Sequence, residues 1–307
     1  MLVGFLGGCG ILPQTRELAQ QRPADLPTQI ELGGTPFFPQ EDYHCGPAAL
    51  AMTLNAAGAK TTPESLVDEV YLPGRKGSLQ IEMLASARRN GFVGYELAPK
   101  LEHVLREIAG GSPVIVLQNF MFSFNPLWHY AVAIGYDLDR AEIILRTGMK
   151  QRQTMPFGVL EYTWRDGGYW AMVAMPPGKL PATAQEETYI AAITALETSR
   201  RTHEANLAYA AALARWPKNL TARVGLGNTA YALQDLQTAR AAFQQATLDH
   251  PHATIAFNNL AHTLADLGQM DAALVAARHA VSLGGPMRAE AQATLDELLK
   301  KSATTPK

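Results

Sequence analysis

From about residue 186 the sequence repeats itself every 34 residues, and nothing else restricts the fold of this 307-residue chain as tightly. Pro217 and Pro251 lie 34 apart, with Pro286 one residue late. Ala205, Ala239 and Ala273 form one column of the repeat, and Ala212, Ala246 and Ala280 form another. Tyr209 and Phe243 share a third that Ala277 continues, and Leu226 and Leu260 share a fourth. A period of this length is one helix pair per unit, with small residues where helices touch and proline after the second helix. A single pair cannot bury its apolar face alone, so the pairs must stack. An ordinary alanine-rich bundle predicts no fixed period. Three units fit 186–286, a capping helix follows near 288–300, and 301–307 read as a disordered tail.

These columns resemble the tetratricopeptide repeat, and the resemblance implies a concave groove for a protein or peptide partner. Upstream, Pro176-Pro177-Gly178-Lys179-Leu180-Pro181 opens a linker over 177–185 and separates a first half of different texture. Glycine, proline and Thr-Pro-Glu punctuation predicts helices over 46–57, 62–71, 78–90 and 101–109. Short apolar runs predict strands over 114–118, 130–136, 142–147 and 169–174. Helices first and antiparallel strands second make an α+β domain over 35–176, followed by an all-α solenoid.

Basic and acidic residues nearly balance, 26 against 28, and no basic stripe stands out, which argues against a nucleic-acid partner. Two cysteines cannot make a disulfide framework, and no Cys/His spacing suits zinc, so no metal or cofactor is expected. The chain opens MLVGFLGGCG, and Leu6-Gly7-Gly8-Cys9 resembles the lipobox of bacterial lipoproteins. That resemblance implies lipid on Cys9, a truncated signal-like segment over 1–9 and a loop-like tether over 10–34. Gly10 is not the Asp that retains lipoproteins at the inner membrane, so the implied location is the periplasmic face of the outer membrane. No other segment approaches the ~20 apolar residues of a membrane span.

Cys45 needs its own explanation, because Gly46-Pro47 and an apolar helix follow it directly. A helix N-terminus stabilises a thiolate through its free N–H groups and dipole, and an imidazolium adds to that. His129 stands at the head of a predicted strand and could face that helix as a base. Gln40, five residues upstream, could aim its amide at an oxyanion. A buried small hydrophobe at a helix start is the plain alternative for Cys45.

Gln40…Cys45-Gly46-Pro47-Ala48-Ala49, then Pro113-Val114-Ile115-Val116, then His129 through Asp137 resemble the bacteriocin-leader-processing cysteine peptidases, which are papain-like domains. The resemblance implies Cys45 as nucleophile, His129 as general base and Gln40 as oxyanion donor. It also implies an Asp after the next strand, where this chain has Arg146-Thr147-Gly148. Thr147, or Arg146 in a shifted register, stands in its place, and Asp137 is the other candidate third member. A hydroxyl can orient an imidazole but cannot stabilise an imidazolium as a carboxylate does. Trp128 is either a cleft wall or a core aromatic, and Asn125 fits turn chemistry. Three functions stay open: a thiol hydrolase cutting peptide bonds, a Cys-dependent acyl transferase, and a catalytically inactive peptide-binding scaffold lipoprotein.

Overall fold

The computed structural model describes residues 12–40, 44–121 and 124–304; Cys9 and the signal-like segment lie outside the described residues. The chain forms two compact units. The first runs to Pro176 and takes in Pro181–Ala184, and the second takes Pro177–Leu180 and everything from Gln185 onward.

In the first unit, α1 (Pro13–Gln20) and β1 (Gln29–Glu31) precede α2 (Cys45–Ala56), α3 (Pro63–Val70), β2 (Tyr71–Leu72), β3 (Gly77–Ser78) and α4 (Gln80–Arg89). Then come β4 (Val93–Glu96), α5 (Leu101–Ala109), β5 (Val114–Asn119), β6 (Trp128–Asp137), β7 (Glu142–Thr147), β8 (Lys150–Pro156), α6 (Phe157–Arg165) and β9 (Ala171–Met175). The sheet runs β4-β9-β5-β6-β7-β8, all antiparallel, and β1 pairs with the far end of β6. Every residue of α2 from Gly46 to Leu54 is buried. A helix apolar all round must be covered all round. The sheet face at Ile115, Tyr130, Val132 and Met172 covers one side, and Leu66, Val70 and Met83 of α3 and α4 cover others.

Four predicted helices and four predicted strands are present, with ends shifted by a few residues. The sequence reading omitted β1 to β4, β8, α1 and α6, and two of these omissions have a plain physical cause. β8 is an edge strand of mostly exposed polar residues, KQRQTMP, without an apolar alternation to signal it. α1 buries no residue, so periodicity could not reveal it.

The expected tether over 10–34 is corrected by the structure. Glu161, fully buried on α6, accepts the Gln14 N–H (2.9 Å), the Thr15 N–H (2.7 Å) and the Thr15 hydroxyl (2.6 Å), capping α1. Downstream, Arg106 grips Asp25 with two bonds and β1 joins the sheet. The linker is corrected in the same way. Fully buried Glu107 accepts the Ala182 and Thr183 N–H groups at 3.1 and 2.7 Å and the Thr183 hydroxyl at 2.6 Å. Two buried carboxylates thus fasten both edges of the domain by charge-assisted hydrogen bonds.

The second unit is α7 (Glu186–Thr198), α8 (Thr202–Arg215), α9 (Leu220–Ala232), α10 (Leu236–Asp249), α11 (Thr254–Asp266), α12 (Met270–Leu283) and α13 (Arg288–Thr304). Both alanine columns are fully buried, and Tyr209 and Phe243 fill the space between them. Neighbouring units also exchange polar contacts, as when Asn259 donates to Asn228 at 2.9 Å. Helix α13 reaches Thr304, so the expected tail over 301–307 begins as helix; 305–307 lie outside the described residues.

Replacing Glu161 by Ala leaves two backbone donors of α1 without their acceptor. The first unit should lose about 2–3 kcal/mol, read as a lower urea midpoint from tryptophan fluorescence, and the α1 amides should exchange faster. Unchanged α1 protection would show that other contacts hold this helix.

Candidate active site

Cys45 is the first residue of α2, half-buried, with the sulfur set against β6. Backbone N–H groups of Tyr130, Gly46 and Cys45 itself point at it. Gly46 lets the start of α2 lie against Ser78, because a Cβ there would collide with the Ser78 side chain. His44, just before it, turns away and packs edge-on against Tyr71, with ring centroids 5.3 Å apart.

His129 lies one residue before Tyr130 on β6. Its Nε2 is 2.7 Å from Thr147 Oγ1, and its ring lies 5.3 Å from that of Phe120. Because Nε2 is engaged, Nδ1 is the nitrogen left for a partner. Gln40 is buried and paired twice with Gly148: its N–H donates to the Gly148 carbonyl (3.0 Å), and its Oε1 accepts the Gly148 N–H (2.9 Å). Its amide nitrogen donates to the Tyr130 carbonyl at 3.3 Å. With Oε1 fixed by Gly148 and one hydrogen by Tyr130, a second amide hydrogen is left over. Tyr130 therefore presents its N–H to the sulfur and its carbonyl to Gln40.

Of the three candidates for the third position, Thr147 is the one beside His129. Arg146 faces away: its guanidinium donates to the carbonyls of Gln151 (3.1 Å) and Gly33 (3.3 Å) and lies 6.0 Å from the centre of the Phe37 ring. Asp137 is excluded by distance, since eight strand residues from His129 make about 26 Å. Its carboxylate instead accepts the N–H groups of Asp139 and Arg140, each at 2.9 Å, in the β6–β7 turn. Trp128 and Asn125 are both exposed, so Trp128 belongs to the rim and not to the core.

Residues 33–172 match the Peptidase_C39 like family, and residues 190–247 and 225–286 match the Tetratricopeptide repeat. The first unit is a Peptidase_C39-like domain, and the second is a tetratricopeptide-repeat array. Among solved structures, a protein described as a C39-like peptidase from Bacillus anthracis is similar at 18% identity, covering 50% of this chain and 98% of its own, with a TM-score of 0.42. The tetratricopeptide domain of Arabidopsis OM64 is similar at 20% identity over 38% of this chain and 95% of its own, TM-score 0.36. The Yersinia enterocolitica type III secretion translocator chaperone SycD is similar at 14% identity over 42% and 99%, TM-score 0.37. No curated protein matches the chain.

Electrostatically, the C39-like domain departs from one expectation. Burial pushes the Cys45 thiol up, and this outweighs the N–H groups of Tyr130, Gly46 and Cys45 that favour the thiolate. Burial also holds the His129 imidazole down at about 4. The pair therefore rests as neutral thiol and neutral imidazole, not as the thiolate expected from a helix N-terminus. Sequence reasoning missed two participants, the Tyr130 backbone and Gly148. Only Gly148 left a signal. Its φ of +54° is a turn conformation that glycine adopts without strain, in the turn that also carries Thr147.

Because the folded His129 resists protonation, the unfolded chain binds that proton first as pH falls. Its contribution to stability should be intact above about 6.5 and lost as pH drops toward 4. Thr147→Asp should raise the His129 value and speed alkylation of Cys45 by iodoacetamide several-fold near pH 7. A variant that alkylates no faster, with an unchanged His129 NMR titration, would separate position 147 from the thiol.

Proposed function

We propose that the C39-like domain is a thiol hydrolase acting on peptide bonds, with Cys45 as nucleophile. The observation that carries this reading is the convergence on Tyr130, where the sulfur, the Gln40 amide and the strand bearing His129 come together. In this reading the His129 tautomer is the one whose Nε2–H donates to Thr147 Oγ1, 2.7 Å away, so that Nδ1 is unprotonated and serves as the base. Nδ1 takes the Cys45 proton as the sulfur attacks the peptide carbonyl carbon. The remaining Gln40 amide hydrogen and the Cys45 N–H donate to the oxyanion. The imidazolium then gives its proton to the leaving amine and a thioester remains. Water, deprotonated by Nδ1, attacks the thioester carbonyl; the carboxylic acid leaves and the sulfur regains its proton. A neutral resting pair suits this sequence, in which the proton moves during attack.

A second reading, peptide binding without catalysis, is supported by the raised thiol and by a hydroxyl, Thr147, as the hydrogen-bond partner of His129 among the described residues. The repeats belong to a protein-binding class, and on either reading they would select the partner. We further propose acylation of Cys9 and residence at the periplasmic face of the outer membrane, supported by Leu6-Gly7-Gly8-Cys9. Labelled palmitate should be incorporated into the wild-type protein and not into a Cys9→Ser chain.

Incubating wild type and Cys45→Ala with cell-envelope extract and comparing new peptide termini tests the hydrolase. Termini made by wild type should vanish in Cys45→Ala, and Gln40→Ala should lower kcat roughly 10²–10³-fold with little change in KM. Identical termini from wild type and Cys45→Ala would favour the binding reading. New amide or ester products in place of free termini would mean acyl transfer.

A further inference from the structure

Residues 119–128 are rich in Phe and also hold Met, Leu and Trp, yet contain no Asp, Glu, Lys or Arg. They join β5 to β6 at the end of the sheet that carries His129. Phe124 is 85% exposed, and Phe120, Met121, Leu127 and Trp128 are 44–54% exposed. Single exposed apolar side chains are ordinary, but five within one short connection mark an interaction surface.

The base of this connection is firmly held. Asn119 is buried, and its side-chain oxygen accepts the N–H groups of Met121 (3.1 Å) and Leu127 (2.9 Å). Its amide nitrogen donates to Asp166 at 3.2 Å, and the Phe120 N–H donates to the Leu127 carbonyl at 3.0 Å. A buried amide therefore fixes the backbone that displays these side chains.

The same end of the domain receives the start of the chain. The link after α6 holds Asn119 through Asp166 and bonds Gln14, in the first turn of α1, through Tyr169. Cys9 precedes Pro13 by four residues, at most ~14 Å of extended chain. An acyl group on Cys9 and the apolar tip can thus reach one surface.

We propose that the apolar tip formed by Phe120, Met121, Phe124, Leu127 and Trp128 inserts into the interface of a lipid bilayer, which brings the end of the sheet that carries His129 to the membrane surface. An uncharged tip with aromatic side chains and a Trp is the composition that settles at the headgroup boundary. A peptide subsite would instead enclose its occupant, and Phe124 stands almost wholly in water. No helix among the described residues is long and apolar enough to cross a membrane, so the contact is interfacial. The tip draws on the Cys9 reading for the side from which the bilayer approaches, but its insertion needs no acyl group.

The test uses the Cys9→Ser chain, free of lipid, mixed with neutral phosphatidylcholine vesicles and sedimented. Binding should persist in high salt, because no charge is involved, and fall about tenfold or more in Phe124→Ser/Leu127→Ser. Brominated lipid should quench tryptophan fluorescence, and Trp128→Phe should remove most of that quenching, since Trp164 and Trp170 are buried and half-buried Trp216 belongs to the repeat unit. The proposal is overturned if the Cys9→Ser chain does not bind, or if a folded double variant binds undiminished. It is equally overturned if the double variant raises KM for apolar peptides in solution and leaves vesicle binding unchanged, which would make the tip a peptide subsite. Cys45→Ala should bind vesicles like its parent, so failure of the hydrolase reading leaves this measurement unmoved.

Discussion

Burial of α2 is the constraint on which the first unit depends. The helix has no polar face, so sheet, α3 and α4 must enclose it, and enclosing it brings its first residue, Cys45, against β6. The hydrophobic effect that forms the core thereby also places the sulfur at the Tyr130 N–H. The same enclosure removes water from the site. That desolvation raises the thiol and depresses His129, which makes the stability of the core and the chemistry of the pair two consequences of one packing event.

The β7–β8 turn acts as the second organiser. Thr147 meets His129 and Gly148 meets Gln40, so two adjacent residues position the imidazole and the Gln40 amide together. A proline at position 148 would have no N–H to offer Gln40 Oε1. Replacing carboxylate by hydroxyl at position 147 keeps the orientation of the ring while withdrawing the charge that would favour imidazolium.

Glu107 and Glu161 show how peripheral segments are made part of the domain without apolar burial. Helix α1 buries none of its residues, and it is held by a carboxylate at its free N–H groups, where charge and helix dipole reinforce each other. The repeat unit works in the opposite manner, by apolar packing of alanine columns whose small side chains let helices approach closely.

The sequence by itself determined the elements whose physics is local or periodic. The 34-residue columns fixed the helix pairs, Gly46-Pro47 and Thr62-Pro63 fixed helix starts, and the apolar runs fixed the central strands. Cys45, His129 and Gln40 could be singled out as candidates because their residue types stand at a recognisable spacing, and the structure gathers Cys45, Gln40 and the strand bearing His129 around Tyr130. Only the tertiary structure decided between Thr147, Arg146 and Asp137, since that choice depends on strand register and on which end of β6 each residue occupies. It alone showed that residues 13–31 belong to the fold, because the partner that holds α1, Glu161, lies about 150 residues away in sequence. It also set the charge state of the Cys–His pair: burial is a property of the whole packed core, and no sequence window contains it.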